Sequence, residues 1–197
     1  DGSGKSSAAR AAHDMLSSDW PVVLTREPGA TQLGSFVRNL LQNRTFDLDP
    51  KAEFLLFAAD RAQHFTEIVL PALAAGKIVL SDRMADSSYA YQGYGRGIDP
   101  KIIGEVNEWA MQTVEPDLTI YLTIDYESAN ARLTQRDEKK TVFEKEKKAF
   151  FDRVAQGFEA AFKRRKLGQI IRVDATLSPQ ELHTTIVEEI KRFLQEW

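Results

Sequence analysis

Hydrophobic residues follow two alternating rhythms along this chain. Short β-branched and aliphatic runs stand at 21–25, 77–82, 118–124 and Gln169–Asp174, which predicts buried strands. Between them, stretches at 6–18, 33–42, 52–74, 100–114, 128–135, 144–166 and Pro179–Glu196 carry apolar residues three and four apart. That spacing predicts helices with one buried face. Asp99-Pro100 and Ser178-Pro179, the latter with Glu181 close behind, read as helix starts, each a cap followed by a first-turn proline. Strands alternating with helices predict a parallel sheet covered on both faces. In such sheets ligands bind at the carboxyl ends of the strands.

No repeat, low-complexity stretch or linker breaks the pattern, so residues 1–197 read as a single domain. One segment departs from it. From Gln135 to Lys148 the chain is crowded with charge (Arg136, Asp137, Glu138, Lys139, Lys140, Glu144, Lys145, Glu146, Lys147, Lys148) and helical spacing is interrupted. A solvated connection between helices and a basic lid over a polyphosphate, at about 134–148, both fit this composition.

A chain that is 43% hydrophobic and 28% charged can bury one large core. Its net charge of -3 lacks the positive field of a nucleic-acid backbone binder. The absence of cysteine excludes disulfides, thiol catalysis and cysteine-ligated metals. Apolar runs such as Ile78-Val79-Leu80 fall far short of the roughly 20 residues that span a membrane. No signal peptide opens the chain, and a cytoplasmic protein is expected.

The first six residues narrow the chemistry. Asp1-Gly2-Ser3-Gly4-Lys5-Ser6 matches the last six positions of the phosphate-binding pattern G-x-x-x-x-G-K-[ST]. Glycines let backbone N–H groups converge on phosphate oxygens, and the helix that follows directs its positive end at the same anion. Lys5 adds a cation for the β and γ phosphates, and the Ser6 hydroxyl can ligate Mg²⁺. A flexible Gly/Ser leader would explain the composition, but residues 7–16 continue directly as an Ala-rich helix. The pattern predicts a P-loop NTPase three-layer fold, with a central parallel five-stranded sheet flanked by helices. Its first strand, of roughly 5–6 residues, is expected to precede residue 1.

Further motifs lie at the ends of the predicted strands. Arg26-Glu27-Pro28-Gly29 follows the first, Asp82-Arg83 the second, and Val173-Asp174-Ala175-Thr176 closes the last. Phe57 and Arg61 in Phe57-Ala58-Ala59-Asp60-Arg61-Ala62-Gln63-His64 share a helix face. There an aromatic ring can stack on a base and a guanidinium can bond a carbonyl, although on these residues alone core packing among Leu55, Leu56 and Phe65 is the stronger explanation of Phe57. Asp82 can hold Mg²⁺ and Arg83 can clamp a phosphate, or the two can form an ordinary surface pair. Glu27-Pro28-Gly29 also suits a plain turn.

Together with Ser87-Ser88-Tyr89-Ala90-Tyr91-Gln92-Gly93-Tyr94-Gly95-Arg96-Gly97, these motifs resemble, in order and spacing, the bacterial thymidylate kinase family across nearly the whole chain. The resemblance implies MgATP-dependent phosphorylation of dTMP to dTDP by a homodimer. ATP would lie on Gly2, Ser3, Gly4, Lys5, Ser6 and Ser7, with Arg132 stacking on adenine and Asp174, Ala175 and Thr176 beneath it. Mg²⁺ would sit near Ser6 and Asp82. The acceptor would have Phe57 against thymine, Arg61 on the base, Arg83 on the phosphate, and Ser88, Tyr91 and Gln92 lining the nucleoside pocket. Asp1 would reach the sugar 3′-hydroxyl. Glu27 and Pro28 would form a loop beside the acceptor phosphate, with a cis bond before Pro28 and Arg38 nearby. The helical faces around 54–65 and 102–111 would supply the dimer interface. Another nucleotide or nucleoside kinase, or a nucleotide-regulated binding module, remains as an alternative.

Two departures from the family pattern stand out. Met84 replaces the usual aromatic after Asp-Arg, and Val142 replaces the lid arginine two residues before Glu144. Arg136, with Lys139 and Lys140 nearby, is then the candidate catalytic cation beside Lys5 and Arg83. His13 and His183 show no partner at useful spacing, and His64 is not expected to act as a base. The run Lys163-Arg164-Arg165-Lys166 reads as a solvated helix end.

Overall fold

In the computed structural model, which describes residues 1–135, 141–165 and 167–196, all four predicted strands form. They are β1 (Val22–Arg26), β2 (Ile78–Asp82), β3 (Leu118–Thr123) and β4 (Gln169–Asp174). β1 pairs with β2 in parallel, from Val22 opposite Ile78 to Arg26 opposite Asp82. β3 pairs likewise with β4, from Leu118 opposite Gln169 to Thr123 opposite Asp174.

The strands run parallel, as expected for an α/β fold. Among the described residues the strands form two separate two-stranded sheets, and the expected central strand is not among them. Packing joins the two pairs instead of hydrogen bonds. Leu80 of β2 and Leu118, Ile120 and Leu122 of β3 lie on one cluster. That cluster also holds Ala8, Ala12 and Leu16 of α1 (Lys5–Leu16) and Leu182, Ile186 and Ile190 of α9 (Pro179–Glu196). The apolar stripes that predicted both helices are the surfaces that meet there.

The remaining helices are α2 (Gln32–Asn43), α3 (Pro50–His64), α4 (Leu70–Ala74), α5 (Ala85–Ser88), α6 (Pro100–Ala110), α7 (Tyr126–Gln135) and α8 (Lys148–Arg164). The long helix predicted over 52–74 is divided by a wide turn at Phe65–Val69, where the Leu70 N–H bonds back to the Phe65 carbonyl. Pro71 in α4 has no N–H and crowds the preceding turn, and a local π geometry relieves this. A second wide turn, Tyr89–Gly95, follows α5 where no helix was predicted, because glycine and aromatic residues obscure the period. α6 stops short of 114, since Gln112 and Thr113 adopt positive φ. The helix predicted over 144–166 begins instead as a short 3₁₀ turn, Phe143–Lys145, before α8.

Both predicted helix starts hold. The Asp99 side chain accepts the Lys101 N–H at 2.8 Å. Ser178 and Glu181 bond each other's N–H groups in a capping box. The basic run at the end of α8 is not wholly solvated. Arg165 donates to Asp86 Oδ2 at 2.6 Å and to Thr119 Oγ1, tying α8 to α5 and β3, while Lys166 lies outside the described residues. Burial raises the Asp86 carboxyl pKa against the pull of Arg165. No described helix is long and apolar enough to cross a membrane.

α8 lies against the Tyr89–Gly95 turn at Gly157, where a Cβ would stand 2.7 Å from Ala90 Cα and 2.9 Å from Tyr94 Cβ. Gly157→Ala is therefore expected to destabilise the protein by about 1–3 kcal/mol, despite alanine's better helix propensity. Urea denaturation checks this, and a neutral result would mean that the two segments can separate without loss.

Candidate active site

A cleft of about 800 Å³ opens at the carboxyl ends of β1 and β2 and the start of α1. Its first wall is the glycine-rich loop. Gly2 and Gly4 have φ of 78° and 82°, which side-chain-bearing residues rarely adopt. A Cβ on Gly2 would also lie 2.6 Å from the Ala129 carbonyl oxygen of α7, so no side chain fits there. Gly4 offers no side-chain cap to α1, which leaves the first N–H groups of that helix for an anion at the cleft. Burial, with Arg83 alongside, pushes the Lys5 ammonium down to about 7, against the pull of Asp82 and Glu144. Ser3 is buried inside the loop.

Ser6 Oγ donates to Asp82 Oδ2, while Asp82 Oδ1 is buried with no hydrogen-bond partner. An orphaned carboxylate oxygen beside a hydroxyl is a hard-oxygen donor set that suits Mg²⁺, which takes few protein ligands and leaves room for phosphate oxygens. No group of three or more potential acidic, histidine or cysteine metal ligands occurs among the described residues.

Arg83, next after β2, has φ of 75°. This strained conformation for a non-glycine residue is pinned by the Ser81 hydroxyl, which donates to the Arg83 carbonyl at 2.7 Å. Its guanidinium lies 5.2 Å from the Tyr91 ring centroid and donates to Asp1 Oδ1 and Ser87 Oγ. Asp1 also accepts from the Tyr91 hydroxyl at 3.1 Å and pairs with Lys5 at 3.6 Å.

The cleft floor is an ion cluster cut off from water. Glu27 is only 3% exposed and Arg61 only 1%. Arg61 Nε donates to Glu27 Oε2 at 2.8 Å, and His64 Nδ1 stands 2.9 Å from Glu27 Oε1. The other His64 nitrogen lies 2.7 Å from Thr25 Oγ1. Arg61 further donates to Asn107 Oδ1 at 2.6 Å and Ser88 Oγ at 3.3 Å. Glu27 is thus committed to holding Arg61, and His64 is wedged in the core, in keeping with a structural role.

The Glu27–Pro28 peptide bond is cis, as the resemblance implied. Behind it the Gly29 N–H donates to Asp60 Oδ1 at 3.1 Å, and Arg38 donates to the Pro28 carbonyl at 2.9 Å. Burial pushes the Asp60 carboxyl up to about 6. Arg38 holds its proton less tightly than an exposed arginine because it is desolvated, with Arg26 beside it.

Asp1, Gly2, Gly4, Lys5, Ser6, Ser7, Glu27, Pro28, Arg38, Phe57, Arg61, Asp82, Arg83, Ser88, Tyr91, Gln92 and Arg132 are all brought to this cleft. Asp174, Ala175 and Thr176 do not line it, although Leu177 does. Asp174 Oδ1 accepts the Thr176 N–H at 2.8 Å, closing its own turn, and Ala175 is buried. Arg136, Lys139 and Lys140 lie outside the described residues. Arg26, Phe143 and His183 line the cleft without having been assigned there. Arg26 could have been found from its place at the carboxyl end of β1. Pro179, Leu182 and His183, three and four apart, mark a helix face that turns to the cleft. The expectation that His13 and His183 lack partners is corrected. His183 Nε2 lies 3.2 Å from Ser7 Oγ, and His13 Nδ1 lies 3.0 Å from Asp14 Oδ1.

Residues 1–186 match the family model described as thymidylate kinase. The chain is similar to the thymidylate kinase of Halothermothrix orenii, 42% identical over 194 residues, covering 97% of this chain and 92% of the relative. It is likewise similar to that of Trichormus variabilis, 40% identical over 200 residues, covering 100% and 94%. The crystal structure of thymidylate kinase from Ehrlichia chaffeensis superposes with a TM-score of 0.76 at 34% identity, covering 97% of this chain and 94% of that one.

Removing a buried carboxylate strands its partners. Glu27→Ala leaves Arg61 and His64 without their shared acceptor and is expected to destabilise the protein by about 3–5 kcal/mol. Denaturant titration measures this; a loss below about 1 kcal/mol would mean the pair behaves as if exposed.

Proposed function

This chain belongs to the thymidylate kinase family, and on that premise we propose how its residues phosphorylate dTMP to dTDP with ATP as the donor. One observation carries the reading. A single cleft joins a phosphate-binding loop at one end to an aromatic and guanidinium pocket at the other, with Arg83 between them. A nucleotide switch needs only the first of these ends.

The triphosphate of ATP lies on the loop from Gly2 to Ser7, met by the N-terminal N–H groups of α1 and by Lys5. Arg132 and Leu177 border the adenosine side. Ser6 and Asp82 would hold Mg²⁺, which neutralises phosphate charge when bound. On the acceptor side Phe57 stacks on the thymine ring, Arg61 and Gln92 meet its polar edge, and Tyr91 flanks the sugar. Arg83 and Arg38 hold the phosphate, kept in place by Ser87 and the Pro28 carbonyl.

A phosphate oxygen of dTMP attacks the γ-phosphorus of ATP. A new P–O bond forms as the bond to the β-phosphate oxygen breaks, and ADP departs with that electron pair. The ionised acceptor needs no general base, which fits the burial of His64. Lys5 and Arg83, which share Asp1 Oδ1 as a partner, supply the cations for the transferring group, where charge spreads over its oxygens.

The homodimer rests on exposed apolar residues. Leu33 and Phe36 of α2, Leu55 of α3, and Ile102 and Trp109 of α6 face solvent, Trp109 at 82% and Phe36 at 67%. α3 packs against both α2 and α6, so these side chains belong to one block of helices.

Two experiments test these readings. Phe57→Ala is expected to raise the dTMP KM by roughly 5- to 150-fold, the loss of one base–aromatic stack, with the ATP KM within about twofold. An unchanged dTMP KM would remove Phe57 from the pocket. Trp109→Glu is expected to shift the protein from dimer to monomer in sedimentation; an unshifted dimer would place the interface elsewhere.

A further inference from the structure

Glu53 of α3 is 1% exposed and has no part in the chemistry above. Its Oε2 accepts from Arg44 at 2.8 Å and its Oε1 from Arg96 at 3.2 Å. Oε1 also accepts from the Gln92 side-chain amide at 2.9 Å. Both arginines are themselves immobilised. Their guanidinium carbons each stand 5.8 Å from the Phe143 ring centroid, and Arg96 also pairs with Glu146. Phe143 in turn packs 6.0 Å from Phe57, the ring assigned to the acceptor base.

Gln92 is equally buried and lines the cleft. A side-chain amide has one donating and one accepting end, and either can face a ligand. A carboxylate bound to two guanidinium groups can only accept, so the NH₂ end of Gln92 must face Glu53. The carbonyl end is left for the cleft. Arg61, held by Glu27, offers only donors. One acceptor beside one donor matches the N3–H and O4 edge of thymine. Cytosine presents the reverse, a lone pair at N3 and an amino group at C4.

We propose that Glu53 is a specificity-determining positioning residue, which locks the Gln92 amide with its carbonyl toward the cleft and so selects a base carrying N3–H over cytosine. The inference rests on the reading that the acceptor is a pyrimidine nucleoside monophosphate. A site built to bond an N–H rejects an analogue lacking it by about 10⁴–10⁵. Glu53→Gln removes the lock, because a second amide can accept as well as donate.

The test is kcat/KM for dTMP, dUMP and dCMP with wild-type protein, Glu53→Gln and Glu53→Asp, with melting temperature followed alongside. Wild type is expected to use dTMP and dUMP and to reject dCMP. In both variants the dTMP-to-dCMP ratio should fall tenfold or more, with dTMP KM rising more than kcat falls. A purely structural role lowers every acceptor by the same factor; an unchanged ratio would overturn the proposal. Should neither variant fold, wild type alone decides with N3-methyl-dTMP. A hundredfold or greater loss against dTMP is expected, and equal use would overturn the proposal. Failure of wild type to convert dTMP at all would sink the proposed function instead, and with it this inference.

Discussion

Glu27 stands at the end of β1 with its carboxylate almost wholly removed from water, and a charge in that position must be paired on every side. Arg61 and His64 supply the pairing from α3, one turn apart. The carboxylate thus joins a strand to a helix and sets which way the Arg61 guanidinium faces. Much else follows from that junction. The Gly29 turn behind it rests on Asp60 of the same helix, and Arg38 rests on the Pro28 carbonyl. Glu53, two turns earlier on α3, repeats the device for Gln92. α3 therefore carries two buried carboxylates, Glu53 aiming the Gln92 side chain and Asp60 holding the Gly29 backbone, and its one aromatic residue at the cleft, Phe57, lies between them.

Charge is arranged in the opposite sense at the phosphate end. There the cations Lys5, Arg26, Arg38 and Arg83 outnumber the carboxylates Asp1, Asp82 and Glu144 that also line the cleft. A dianionic acceptor and a polyphosphate donor supply the missing charge, and the low-dielectric floor strengthens each of these contacts. Polar groups aimed beforehand need no reorganisation when a ligand arrives, which favours both selectivity and rate.

The elements were legible in the sequence wherever periodicity was clean. All four strands lie within a residue of their predicted bounds, and the apolar stripes that predicted α1 and α9 are their buried faces. The capping box at Ser178 was also readable, because it depends on local residue type, and the cis bond before Pro28 was implied by the family resemblance. What escaped was set by packing. The wide turn at Tyr89–Gly95 has no periodic signature. Within the site, the motifs indicated which residues gather but not their partners. Glu27 reads as a ligand contact in the sequence and serves as the anchor of Arg61 in the structure. Phe143, in the charged segment, gave no hint that it would pack against Phe57.

The central claim is that the acceptor pocket is aimed before its ligand arrives, by carboxylates buried in its floor. A crystal structure with dTMP bound tests it most directly. The base should lie flat against Phe57, with the Arg61–Glu27 and Gln92–Glu53 hydrogen bonds kept at close to their present 2.8 and 2.9 Å. A base seated away from Phe57, or either pair broken to make room for it, would contradict the account.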